Sequence, residues 1–180
     1  MLLWATLTKK IHFILVLPVV AFGKQLMAAA TGKILLINIL AGVLAVLYVG
    51  EGENSLRGNV SEGFGIWRTD DGGRSWRNLG LKDTRHIIRI VIHPKNPDVV
   101  WVAAMGHLFG PNEERGIFKT TDGGKNWKKV LYVNNQTGCS DLVMEPGNPG
   151  VLYAGTWRML RTPYSMESGG EGSGLWKSID

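Results

Sequence analysis

Cysteine is almost absent: Cys139 is the only one in 180 residues, so no intrachain disulfide can form and no cysteine-based metal site can be built. Its sequence neighbourhood lacks the histidine and basic groups that activate a thiol, and it reads as a small buried hydrophobe. Acidic residues are missing altogether from residues 1–50, which hold Lys9, Lys10, Lys24 and Lys33. The formal charge of +5 therefore belongs to the leader, since beyond it 16 of the 20 basic residues stand against 15 acidic ones. That near balance, with no basic stripe carrying interleaved aromatics, argues against a nucleic-acid partner. His86, His93 and His107 lack metal-ligand spacing, and no metal or other cofactor is implied.

A long uninterrupted apolar run is also missing. Lys9 and Lys10 precede the run Ile11 to Phe22, and Ala28-Ala29-Ala30 then offers the small residues of a signal-peptidase site. Residues 1–30 read as a secretory signal cleaved after Ala30 or, if retained, as a membrane anchor. The next run, Ile34 to Val49, is broken by Asn38 and Gly42 and falls short of the roughly 20 residues that span a bilayer. Residues 31–46 keep an open role, and anchoring through residues 11–49 is the competing reading. Either way the remainder is expected outside the cytoplasm, secreted, periplasmic or held at the cell surface.

Glycine and tryptophan are plentiful, at 24 and 7 residues, a pairing that suits repeated hairpins wedged by large aromatics. The segment Gly65 to Trp76 returns as Gly116 to Trp127, 51 positions later, and begins a third time at Gly174 to Asp180. A second unit, Val91 to Val102, returns as Val143 to Ala154 at an offset of 52. Two independent motifs sharing one period of about 50 residues predict a four-stranded blade repeated radially. The expected fold is all-β, a partial β-propeller of four-stranded antiparallel blades behind a hydrophobic leader. Residues 47–180 would carry it, with blades near 47–80, 85–134 and 140–180. The first blade lacks a clear opening strand, and the third is expected to stop inside its hairpin at Asp180. Within the middle blade, alternation and punctuation predict strands at Ile87 to Ile92, Val99 to Ala104, Gly116 to Thr120 and Trp127 to Val133.

The repeated hairpin has a local physical logic. A tight turn needs an acceptor for its amides and glycines at positive φ, which an aspartate and a Gly-Gly pair supply. Thr69, Asp71, Gly73, Ser75 and Trp76 form one copy, Thr120, Asp122, Gly124, Asn126 and Trp127 another, and Ser178 with Asp180 open a third. An active site needs one constellation, not one copy per blade, so these residues are expected to fasten turns. The pattern resembles the Asp box, or bacterial neuraminidase repeat, of sialidases, xyloglucanase-like hydrolases and sortilin-type propellers. Tyr48 to Glu53, Asp83 to Ile87, Gly106 to Gly116 and Ser168 to Gly170 further resemble the sortilin-type branch, including its glycosyl-hydrolase-like members. That resemblance covers about three-quarters of the chain. It implies a propeller and leaves activity open, since fold does not fix function.

Propeller ligands meet loops that join blades and second-to-third strand connections. Candidate ligand residues are Glu53, Arg85, His86, His107, Asn112, Glu113, Arg115, Trp157, Arg158 and Arg161. Trp157 could stack on a sugar or pack between blades, and the arginines could fork onto carboxylates or serve as surface charges. Glycoside hydrolysis usually needs two facing carboxyl groups, and the sequence pairs none. The expected role is an exported scaffold binding glycan or peptide ligands and completed by the remaining propeller blades. The alternative is part of a xyloglucanase- or sialidase-like glycoside hydrolase whose catalytic carboxylates lie partly in other blades.

Overall fold

The computed structural model describes residues 13–14, 46–54 and 59–179. The signal and anchor readings thus fall almost wholly outside the described residues, as does Asp180. Twelve strands and one 3-10 turn, Lys82–Thr84, make up the described elements. The first sheet runs β1 (Phe13–Ile14), β2 (Leu47–Glu51), β3 (Ile66–Thr69) and β4 (Arg77–Asn78), in that spatial order. The second runs β5 (Ile87–His93), β6 (Asn96–Ala104), β7 (Gly116–Thr120) and β8 (Lys128–Leu131), also in order. In the third, β10 (Asn148–Arg161) lies between β9 (Thr137–Glu145) and β12 (Gly174–Ile179), while β11 (Met166–Ser168) pairs with the far end of β10. All these pairings are antiparallel. The architecture is all-β, a partial propeller whose sheets stand side by side as blades.

Strict alternation along β6 explains the stacking, because successive side chains point to opposite faces of a strand. Val100 and Val102 join Tyr48, Ile66, Ile87 and Ile90 in a core between the first and second sheets. Trp101 and Ala103 join Ile117, Cys139, Leu142, Leu152 and Ala154 between the second and third. Each inner sheet face is thus half of a joint. Cys139 is fully buried there, and burial pushes its thiol up to about 12, which keeps it protonated and inert.

The boundaries depart from the sequence expectation in four places. His93 pairs directly with Asn96 across a two-residue turn, so β6 starts before Val99. The fourth strand of the second sheet is shorter than expected, pairing with β7 only over Lys128–Leu131. In the third sheet, Thr137, Gly138 and Cys139 pair with Arg158, Trp157 and Thr156 beyond a bulge, which starts that blade a little earlier. The place left without an opening strand in the first sheet is taken by β1, with Phe13 opposite Glu51 and Ile14 opposite Gly50.

Candidate functional site

Strand direction sorts the connections into two ends. One end carries the tight turns, at Pro94-Lys95 and Pro146-Gly147, and the aspartate hairpins. The other carries three longer connections between second and third strands, 52–65, 105–115 and 162–173, together with the links between sheets.

At the hairpin end, Asp71 accepts from Ser75 N (2.9 Å), Ser75 Oγ (2.6 Å) and Thr69 Oγ1 (2.7 Å), while Thr69 Oγ1 accepts from Gly73 N at 2.9 Å. Asp122 repeats this with Asn126 N (3.0 Å), Asn126 Nδ2 (2.7 Å) and Thr120 Oγ1 (2.8 Å), and Gly124 N donates to Thr120 Oγ1 at 3.0 Å. Both carboxylates lie well below the ordinary aspartate range, first because of the side-chain donor immediately before the tryptophan, Ser75 or Asn126. Asp122 is held at about 2. Ser178, the third copy's counterpart of the threonines, lies at the exposed end of β12, and its Asp180 lies outside the described residues.

At the loop end, the first connection folds against the link before β5. Glu51, buried at the end of β2, accepts from Phe64 N at 2.7 Å, and the buried Glu53 accepts from Ser61 N at 3.0 Å. Gly52, at φ 102°, lets this loop touch Arg85: a Cβ there would lie 2.2 Å from Arg85 O. Arg85 itself holds φ 56°, an uncommon conformation for arginine, and pairs with Glu62 at 3.4 Å. His86 is fully buried with Nδ1 3.1 Å from Glu53 O. Burial holds its pKa below the usual histidine value, so the ring is neutral and serves Glu53 O as a donor.

The second connection closes on itself around an exposed turn. Asn112 Nδ2 donates to His107 O (2.9 Å) and Gly110 O (3.0 Å). Arg115 Nη2 donates to His107 O and also crosses to Met159 O, each at 3.1 Å. Arg115 is fully buried, and burial pushes its guanidinium down to about 10. His107 is lowered first by burial and then by the Arg115 charge. Glu113 stays exposed at the rim, its carbonyl accepting from Lys129. Between the clamped carbonyls stands Phe109, 44% exposed.

In the third connection, Arg161 Nη1 donates to Ser165 O at 3.0 Å, and Thr162 and Ser165 exchange hydrogen bonds that tighten the turn. This turn displays Tyr164, 91% exposed. Arg158 reaches Glu167 (2.9 Å) and Gln136 (2.8 Å). Trp157 is half-buried against Val60, Ile88, Met105, Leu108 and Met159, so it packs the joint between loops. Backbone bonds tie these segments to one another: Gly63 N donates to Arg85 O at 2.8 Å, in the link before β5, Met105 N to His86 O of the same link at 2.9 Å, and Arg161 N at the end of β10 to Leu108 O at 2.9 Å.

The candidate ligand residues do converge on one end, but most of them hold backbone. Sequence reasoning did not single out Phe64, Phe109 and Tyr164, one exposed aromatic on each connection. Their signal is modest: each adjoins a glycine or proline inside a long interstrand segment, as in Gly63-Phe64-Gly65, Phe109-Gly110 and Pro163-Tyr164.

No protein-family model matches this chain, and no curated protein matches it significantly. Solved structures do. A GH74 xyloglucanase from Xanthomonas campestris is similar at 18% identity with a TM-score of 0.49, over 74% of this chain and 19% of that one. A GH74 enzyme from Niastella koreensis is 18% identical with a TM-score of 0.48, over 73% and 18% of the respective chains. An ancestral GH74 enzyme is 17% identical with a TM-score of 0.47, over 69% and 18%. The chain spans about a fifth of the length of these structures.

Proposed function

We propose that the loop end is a carbohydrate-binding surface of an exported scaffold, and that this chain binds its ligand without transforming it. One observation carries the reading: three successive connections each raise one exposed aromatic, Phe64 at 63%, Phe109 at 44% and Tyr164 at 91%, on a pinned turn. Glu51 pins the first, Asn112 and Arg115 the second, Arg161 and Thr162 the third. Exposed rings on fixed backbone offer stacking surface at low conformational cost, which is what a sugar face needs. Arg85 and Arg158 lie at the same end and favour acidic or hydroxyl-rich ligands. Among the described residues, Glu51, Glu53, Glu62 and Glu167 at this end are engaged by amides or arginines, so the glycoside hydrolase alternative would draw on Glu113, Glu114 or Glu171 of the same connections.

The test is a glycan-array screen of the whole chain followed by titration of the best polysaccharide. Phe64→Ala, Phe109→Ala and Tyr164→Ala are each expected to weaken binding by about 1 kcal/mol, fivefold to tenfold, with unchanged unfolding curves. Binding indifferent to all three would sink the reading. Release of new reducing ends would favour the hydrolase alternative, and selective capture of peptides would move the ligand class.

A further inference from the structure

The joint between the first two sheets is not filled at its hairpin end. There a cleft of about 480 Å³ opens between Arg77, Asn78 and Leu79 of the first sheet and Gly123, Gly124 and Lys125 of the second hairpin. Its walls are fixed. Trp127 Nε1 donates across the joint to Leu79 O at 2.9 Å. Gly123 N donates to Asp98 O at 3.0 Å, and the Asp98 carboxylate in turn pairs with Arg68 of the first sheet at 2.6 Å. Gly124 packs so close to Leu79 that an added Cβ would lie 2.5 Å from Leu79 Cδ1. The volume falls within the roughly 300–1,000 Å³ of small-ligand sites, and walls already held in place need little ordering on binding.

We propose that this cleft binds a tetrahedral oxyanion, the phosphate or sulfate group of a soluble ligand, between Arg77 and Lys125. Both cations are exposed, and they come from different sheets, so the pair exists only where the two sheets meet. Arg77 Nη1 meets Asp70 Oδ2 at 2.7 Å, but Arg68 holds the other oxygen of that carboxylate at 2.7 Å. The Arg77 guanidinium keeps further N–H groups for a ligand. Lys125 has no carboxylate partner among the described residues. The other carboxylates nearby are engaged, Asp98 by Arg68 and Asp122 inside its own turn.

The chemistry of the lining selects the ligand. Asn78, the one neutral polar side chain in the cleft, donates to Phe64 O at 3.2 Å and accepts from Gly80 N at 2.9 Å. Charge is therefore recognised here rather than hydroxyl groups. A planar carboxylate is satisfied by a single arginine fork, whereas two cations on opposite walls suit a group that presents oxygens in several directions. The repeat accounts for the placement: Lys125 and Lys128 occupy the hairpin positions of Arg74 and Arg77. The cleft joins the later cation of one hairpin to the earlier cation of the next. It lies at the opposite end from the aromatic connections, and neither inference rests on the other.

The test titrates the full chain with inorganic phosphate, inorganic sulfate and acetate at fixed ionic strength. NMR follows the amide signals of Leu79, Gly123 and Gly124 and the indole N–H of Trp127. Phosphate or sulfate is expected to shift them saturably, with a Kd on the order of 1 mM, and acetate to bind about tenfold more weakly. Arg77→Gln and Lys125→Gln should each weaken phosphate or sulfate binding about tenfold, with unchanged unfolding curves. Lys95→Gln removes a cation from the same end but outside the cleft, and should leave binding as it was. An equal loss in Lys95→Gln would reduce the effect to net charge and overturn the proposal. Acetate binding as tightly as phosphate and sulfate, or no saturable shift with either, would overturn it too. Cosedimentation with phosphatidic acid vesicles, lost in Arg77→Gln and in Lys125→Gln, would place the phosphate on a membrane and overturn the assignment to a soluble ligand.

Discussion

The two described aspartate hairpins are built alike inside and placed differently outside. Residues 69–75 and 120–126 share the same threonine, aspartate and glycine bonds, with distances agreeing to about 0.1 Å. Their tryptophans then diverge. Trp127 Nε1 donates to Leu79 O of the first sheet at 2.9 Å and packs against the core between the first two sheets. Trp76 Nε1 turns back to Gly73 O of its own hairpin at 3.1 Å and is 38% exposed. The carboxylate network is thus a local property of the turn, while the indole joins sheets only where a neighbouring sheet meets it.

The largest expected effect breaks that symmetry. Trp127→Ala removes packed surface and an intersheet hydrogen bond, and is expected to cost about 3 kcal/mol. Trp76→Ala should stay within about 0.5 kcal/mol, as surface changes do. Urea unfolding of the two variants measures both, and equal losses would refute the distinction. Trp127→Phe sharpens it further by keeping most of the apolar area and losing the bond to Leu79 O, at about 1 kcal/mol.

The two joints differ in their ion pairs as well. Arg68 has an 8% exposed side chain, pairs with Asp98 and Asp70, and donates to Tyr48 Oη at 2.7 Å. Burial raises that tyrosine to about 12, so its hydroxyl stays protonated. Arg68→Ala leaves several of these groups unpaired, and because Asp98 is 49% exposed the loss is expected at about 2 kcal/mol. Arg89 meets Asp141 across the second joint at 2.8 Å, with the two side chains 43% and 50% exposed. Arg89→Ala should cost no more than about 0.5 kcal/mol, because water screens such a pair. Chemical denaturation of the pair of variants ranks the joints, and a larger loss at Arg89 would invert the argument.

Much of the fold was legible in the sequence because the same turn chemistry recurs at a fixed interval. Gly65-Ile66 and Gly116-Ile117 open strands that the structure places equivalently, and the alternation of Val100, Trp101 and Val102 marks a strand buried on both faces. The opening of the first sheet was not legible, since β1 comes from a distant, mostly apolar stretch with no period of its own. Nor was β11, whose three exposed residues Met166 to Ser168 show no alternation and pair only because β10 runs on past the blade. The candidate site was half legible. Polar and charged residues drew attention to the loop end, but the partners of His86, Asn112, Arg115 and Arg161 are backbone carbonyls, which a sequence does not display. The aromatics they support went unseen because a lone Phe or Tyr in a loop carries no pattern, and only coordinates show that three stand exposed at one end.

The smallest effect tests whether the carboxylate network is as local as the hairpins suggest. Asp71 and Asp122 both have folded pKa values depressed by donors within their own turns, Asp122 to about 2. An unfolded aspartate titrates near 3.9. A depressed carboxyl contributes stability that is present above the unfolded value and lost as pH falls toward the folded one, so the window runs from about pH 4 down to about pH 2. Solvent surrounds both groups, which keeps the contribution small in each. Asp71→Asn and Asp122→Asn should each flatten the acid limb of the stability profile, and to similar extents, in urea midpoints measured across that window. If only Asp122→Asn flattened it, the docked indole at Trp127 would be reinforcing the turn beneath it, and the hairpin could no longer be treated as independent of its neighbour.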